Sequence, residues 1–150
     1  MTRNKILPTA CLLLSFAAPA LAQQSRTAAA DKPYDDLQKQ FAEAYNRQDA
    51  AAMAAMFTQN AVRITPNGIF QGRDAIRREM ESTLKMGLHD YAVRRTLSRS
   101  EGNLVFHAGE WQAKLADKPL HGYYSLLLTL EGDHARIMQE TVNVAAPARP

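Results

Sequence analysis

His107 is the residue in this sequence best placed to move a proton. It lies in a run, Leu104 to Leu115, where Val105, His107, Trp111, Ala113 and Leu115 share one parity, and alternate residues of a strand face the same side of a sheet. A histidine on a buried face must find a hydrogen bond, and its ring titrates near neutrality. It is therefore either a satisfied core side chain or an acid and base for a bound molecule. Trp111 on the same face is either core packing or an aromatic wall for a flat, apolar ligand. Arg95 stands among Tyr91, Val93 and Leu97, where its charge needs a carboxylate, with Glu110 and Glu140 as candidates, or the anionic group of a ligand. In His121-Gly122-Tyr123-Tyr124 the adjacent tyrosines must face opposite sides of the sheet, so one is available as a hydrogen-bonding wall. Gln139, Thr141 and Asn143 share a side of the last strand. Facing inward they would orient a ligand; facing outward they form a solvated face.

Other chemistries find no support. His89, His121 and His134 fall at strand starts or turns without His-x-His or His-x-x-x-His spacing, so no metal site is expected. The chain has no P-loop, no Gly-x-Gly-x-x-Gly and no Gly-x-Ser-x-Gly elbow, and no cofactor is expected. Arg73, Arg77 and Arg78 alternate with Asp74, Glu79 and Glu81, which reads as helical salt pairing on a solvent face rather than a nucleic-acid stripe. Met53 and Met56 sit among alanines and read as helix packing.

The first 22 residues read as an export signal: Arg3 and Lys5 without an acid, an apolar stretch Ile6 to Ala20, and small residues at Ala20-Leu21-Ala22, giving cleavage before Gln23. The apolar run is shorter than the ~20 residues that span a bilayer, so a periplasmic or secreted protein without membrane insertion after cleavage is expected. Cleavage removes Cys11, the only cysteine, and with it disulfides, thiolate catalysis and cysteine-bound zinc. It leaves 128 of 150 residues, the size of one domain. It also takes two of the 18 basic residues, so 16 stand against 15 acids, a balance that gives no general attraction to nucleic acid. The composition, 46% hydrophobic and 22% charged, is that of a globular domain and excludes collagen-like and disordered readings.

The elements that must position these residues follow from pattern. Residues 23–32 read as a flexible lead-in, the domain runs over 33–145, and 146–150 form a tail. Leu37, Phe41 and Tyr45 recur every four residues, which predicts a first helix from Tyr34. Asp49 caps a short second helix carrying Met53, Met56 and Phe57. Ala61 to Thr65 reads as a strand and Pro66-Asn67-Gly68 as a turn. A third helix opens at Gly72-Arg73-Asp74, carries Ile76, Met80 and Leu84, and ends before Gly87. Four β-rich runs follow, Asp90 to Ser98, Leu104 to Leu115, Leu120 to Leu130 and Ala135 to Val144, separated by turn signals. The order α-α-β-α-β-β-β-β gives an α+β fold whose antiparallel sheet buries one face against the helices.

The run from Phe41 to Asp49, then Met56 to Val62, Pro66-Asn67-Gly68 and Gly72 to Ile76, resembles the SnoaL-like, ketosteroid-isomerase-like branch of the nuclear transport factor 2 superfamily. The resemblance implies a cone of curved antiparallel sheet wrapped around a long helix, a pocket between helices and sheet, and often a dimer through the outer sheet face. It leaves function open, because the superfamily includes isomerases, cyclases, hydrolases and inert binding modules. It also implies an absence. The steroid isomerases' general base falls at Thr65 here, their helix tyrosine at Phe41 and their protonated aspartate near Leu126. That removes the ketosteroid reaction.

The expected function is binding of a small, largely apolar or aromatic molecule in the cone, lined by Phe41, Tyr45, Phe57, Thr65, Arg95, Trp111, Tyr124 and Gln139, with His107 as the candidate catalytic residue. The family register favours Tyr124 as the inward tyrosine. Two alternatives stand beside binding: an enzyme in which His107 performs proton transfer or water activation, and a homodimeric interaction module.

Overall fold

In a computed structural model the backbone is described for residues 18–146 and side chains for residues 32–146. Most of the predicted export segment and nearly all of the predicted tail lie outside the described residues. The chain divides into two units, 1–31 and 32–150. In the first, residues 18–31 are helical.

The elements are helix α1 Ala18–Asn46, helix α2 Ala50–Ala55, strands β1 Phe57–Thr65 and β2 Gly68–Gln71, helix α3 Arg73–Leu84, and strands β3 Leu88–Glu101, β4 Leu104–Leu115, β5 Lys118–Glu131 and β6 His134–Val142. They form an α+β fold, helices followed by a curved, unclosed sheet in the order β2-β1-β6-β5-β4-β3. All neighbours pair antiparallel except β1 with β6, which run parallel.

Helix α1 starts before the expected Tyr34 and contains Pro33. The preceding residues are rich in alanine, the strongest helix former, and Pro33 brings no N–H to the helix. Its core face carries Leu37, Phe41 and Tyr45, all buried, at the expected spacing. Gln48, with φ of 60°, ends this region, and Asp49 accepts the Ala52 N–H at 2.9 Å to cap α2. Phe57 corrects the second-helix reading: it is the first residue of β1, fully buried, and pairs with Ile137 of β6. β2 adds a strand to the expected order, beginning at Gly68, the last residue of the predicted turn. It is a four-residue edge strand whose Ile69 is 73% exposed, too short and too open to show an apolar pattern.

The parity expected for β4 holds. Val105, His107, Trp111 and Ala113 are buried on the inner face, and Tyr124 of β5 joins them while Tyr123 faces out. In β6 the pairing slips between Ile137 and Gln139. This bulge adds one residue to the strand and puts Glu140, not Gln139, on the inner face.

Candidate functional site

Two cavities lie between the helices and the inner sheet face. The outer has a volume of about 180 Å³ and is walled by Phe41 and Tyr45 of α1, Leu88 and Tyr91 of β3, Trp111 of β4, and Val142 of β6, with Thr65 beside the β1–β2 turn. The inner, about 30 Å³, is bordered by Tyr34 and Leu37 of α1, His107 of β4, and Tyr124 and Leu128 of β5. Phe41, Tyr91 and Glu140 line both.

Tyr91 is set by local backbone accounting. The pairing of β3 with β4 slips between His89 and Ala92, around Asp90 with φ of 54°. The freed peptide groups of Tyr91 are taken by the Asn46 amide, which donates to the Tyr91 carbonyl at 3.0 Å and accepts its N–H at 2.8 Å. So fixed, the Tyr91 ring stacks on Tyr45, centroids 4.2 Å apart and planes at 15°. Burial disfavours a phenolate at both rings: it pushes the Tyr45 hydroxyl up to about 12 and raises that of Tyr91 above its ordinary range. Both stay neutral through physiological pH.

The polar part of the outer cavity wall is an ion cluster absent from the expected lining. Arg63 shares parity with Ala61 on β1 and points inward. Its Nε donates to Glu79 Oε2 of α3 at 2.9 Å and its Nη1 pairs with Glu140 Oε2 of β6. Thr83, one turn beyond Glu79, donates its hydroxyl to Glu79 Oε1 at 3.0 Å. Arg63, Glu79 and Glu140 are 6%, 6% and 5% exposed, so the three charges are almost fully withdrawn from water and depend on one another. Two carboxylates against one guanidinium leave a formal excess of one negative charge in a wall whose other residues are mostly aromatic and aliphatic, with Thr65, Asn67 and Thr83 among them. Such a wall can accept a hydrogen bond or a proton from a bound molecule.

The expected lining residues divide. Phe41, Tyr45, Thr65 and Trp111 border the outer cavity, and Tyr124 and His107 the inner one. Thr65 Oγ1 accepts the Asn67 N–H at 3.1 Å and shapes the turn. Three residues are corrected. Phe57 borders neither cavity; it is core, 6.4 Å from the Phe41 ring centroid. Gln139 is turned away by the β6 bulge and donates to Thr141 Oγ1 at 2.6 Å. Arg95 borders neither cavity either and pairs with Asp35 of α1 at 2.8 Å. Its expected partners are engaged elsewhere, Glu110 by Arg94 and Glu140 by Arg63.

His107 is 1% exposed, edge-on to Tyr34 with centroids 5.7 Å apart. Its Nε2 lies 3.4 Å from Arg95 Nη1. A guanidinium only donates, so in this contact Nε2 takes the accepting role. The histidine extends the Asp35–Arg95 pair into the core rather than facing the larger cavity.

Two glycines seat the aromatic walls. Trp111 donates its indole N–H to the Asn143 carbonyl at 2.8 Å across Gly122, where a Cβ would overlap that carbonyl and lie 2.7 Å from the indole nitrogen. A Cβ at Gly109 would lie 2.9 Å from the Tyr124 ring.

Among the described residues no group of three or more His, Cys, Asp or Glu is placed to hold a metal ion, and no helix is long and apolar enough to cross a membrane.

Comparison with known proteins extends the fold. Curated protein sequences include no match. Among solved structures, an NTF2-like protein of unknown function from Shewanella oneidensis superposes with a TM-score of 0.68 at 18% identity, covering 76% of this chain and 98% of its own. A ketosteroid isomerase-like protein from Erwinia carotovora atroseptica gives 0.66 at 15% identity, covering 75% and 94%. An NTF2-like protein with a cystatin-like fold from Novosphingobium aromaticivorans gives 0.70 at 10% identity, covering 89% and 93%. At these identities the likeness is one of fold. The family model of the SnoaL-like domain matches residues 38–138, from the middle of α1 to the bulge of β6, and the chain belongs to that family.

Proposed function

We propose that this protein binds a small, largely apolar molecule in the outer cavity of its cone. The observation that carries the reading is the composition of that cavity: aromatic and aliphatic walls around about 180 Å³, with the Arg63–Glu79–Glu140 cluster as its concentrated polar surface. Apolar walls supply affinity, and a few fixed polar groups select orientation. Trp111, the only tryptophan in the sequence, borders the cavity and reports on it directly. Native mass spectrometry before and after mild organic extraction should reveal a retained small molecule, and apolar compounds should shift Trp111 emission. An unchanged mass together with an unresponsive Trp111 across an apolar panel would overturn the reading.

An enzyme of this fold is a second reading, and the ion cluster moves its centre from His107 to the carboxylates. Glu140 borders both cavities and is the group that a bound proton donor would meet. Turnover lost in Glu140→Gln but kept in His107→Gln would support it. The protein is further proposed to be exported through residues 1–22, which amino-terminal sequencing of secreted or periplasmic material would test. Leu97, Phe106 and Tyr123, exposed on the outer sheet face, are proposed to pair two copies. A mass independent of concentration and equal to one chain would exclude that pairing.

A further inference from the structure

The inner cavity holds a polar group that the protein leaves unsatisfied. Tyr124 is more than nine-tenths buried and borders this cavity, and its hydroxyl has no hydrogen-bond partner among the described residues. A buried hydroxyl without a partner costs about 1–3 kcal/mol. Burial also raises its titration above the ordinary tyrosine range, so it is a neutral O–H at physiological pH.

The second group in reach of the same space is Glu140. On the inner face Tyr124 stands opposite Val142 and Leu126 opposite Glu140, so Tyr124 and Glu140 are diagonal neighbours across β5 and β6. One offers a hydroxyl and the other a carboxylate, and the carboxylate only accepts. A group between them that satisfies both must accept one hydrogen bond and donate another. The cavity, about 30 Å³, admits a group the size of a water molecule. Carbonyl and ether oxygens cannot donate, and a carboxylate would face Glu140 with like charge. A hydroxyl meets every condition.

Phe41 and Tyr91 border both cavities, their centroids 6.2 Å apart. Together with Glu140 these two rings are the side chains that the cavities share, so the two spaces adjoin at this wall.

We propose that the inner cavity is the subsite for the hydroxyl group of an apolar alcohol or phenol whose hydrocarbon body occupies the outer cavity, with Tyr124 donating to that oxygen and Glu140 accepting its proton. This rests on the outer cavity being an apolar-ligand site, and Phe41 and Tyr91 then decide whether the ligand's polar end reaches the subsite.

The test compares para-propylphenol with propylbenzene, which differ only by the hydroxyl, by calorimetric titration of the full-length protein and of Tyr124→Phe. A net hydrogen bond predicts about tenfold tighter binding of the phenol by the unaltered protein. In Tyr124→Phe the preference should fall to about twofold or less, with propylbenzene affinity unchanged within about twofold and the fold at least as stable. Equal binding of the two probes by the unaltered protein, or a full preference persisting in Tyr124→Phe, would overturn the subsite while leaving the apolar site standing. Binding of neither probe would overturn both.

Discussion

Replacing Arg63 by methionine removes the one cation of the buried cluster while keeping an unbranched, apolar side chain of similar reach. Glu79 and Glu140 would remain about 95% buried without their counter-charge. Breaking a buried ion pair from one side costs about 3–5 kcal/mol, against a typical domain stability of about 5–15 kcal/mol. Arg63→Met should therefore lose roughly a fifth or more of its stability at pH 7. The loss should depend on pH in a defined sense. Folded Arg63→Met relieves its stranded carboxylates by taking up protons that the hydrated unfolded chain does not yet hold. With more protons bound in the native state, stability falls as pH rises, so the deficit is larger at pH 7 than at about pH 5. Adding Glu79→Gln and Glu140→Gln in the same chain should restore much of the stability, because the unpaired charge is then gone. Urea unfolding followed by Trp111 fluorescence and by circular dichroism measures each difference. A loss below about 1 kcal/mol at pH 7, or one relieved neither by acid nor by the glutamines, would refute the account of the cluster as a mutually dependent set of charges.

Tyr45, whose hydroxyl is pushed up from 10.0 to about 12 by burial, gives the fold stability that is fully present below about pH 10 and lost as pH rises towards 12. That shift corresponds to about 3 kcal/mol as an order of magnitude; alkaline unfolding of Tyr45→Phe should be shallower by this share, while the raised Tyr91 keeps its own. Gly122→Ala places a methyl group against the Asn143 carbonyl and the Trp111 indole, and should cost about 1–3 kcal/mol or more and shift Trp111 emission to the red, as thermal unfolding and fluorescence spectra would report. Phe57→Ala should cost about 3–5 kcal/mol as a core truncation, because Phe57 is fully buried, yet leave the affinity of any outer-cavity ligand nearly unchanged in the folded fraction. An affinity loss greater than about tenfold would return Phe57 to the lining.

What could be read from the sequence follows from how local each signal is. The bounds of β4 and the inward set Val105, His107, Trp111 and Ala113 were legible because a two-residue period is written into consecutive residues. Gln139 was misplaced because a bulge shifts the period by one residue without leaving a glycine or proline to announce it. The ion cluster was missed for another reason. Its members lie 16 and 61 positions apart along the chain, on β1, α3 and β6, and each of them separately resembles an ordinary surface charge. One signal was available: Arg63 has the same parity as Thr65, an expected lining residue, so β1 places a positive charge on the pocket side that demands an acid. Arg95 carried the same kind of signal, but nothing in its neighbourhood distinguished Asp35 of a distant helix from nearer carboxylates.

The parallel pairing of β1 with β6 has a consequence for synthesis. Among the described residues β6 is the strand that joins the β1–β2 hairpin to the β5–β4–β3 meander, and it is the last of the described elements. Until it leaves the ribosome the nascent protein can hold two separate pieces of sheet, each with an open edge, and Arg63 lacks one of its two carboxylates. Residues made nearly eighty positions apart must meet before the sheet is continuous, and such non-local pairing is slow to form. The exposed β1 and β5 edges of that intermediate, rather than any edge of the finished protein, are where premature association would begin. Shortening the chain by its final strand should therefore yield aggregation rather than a smaller folded domain.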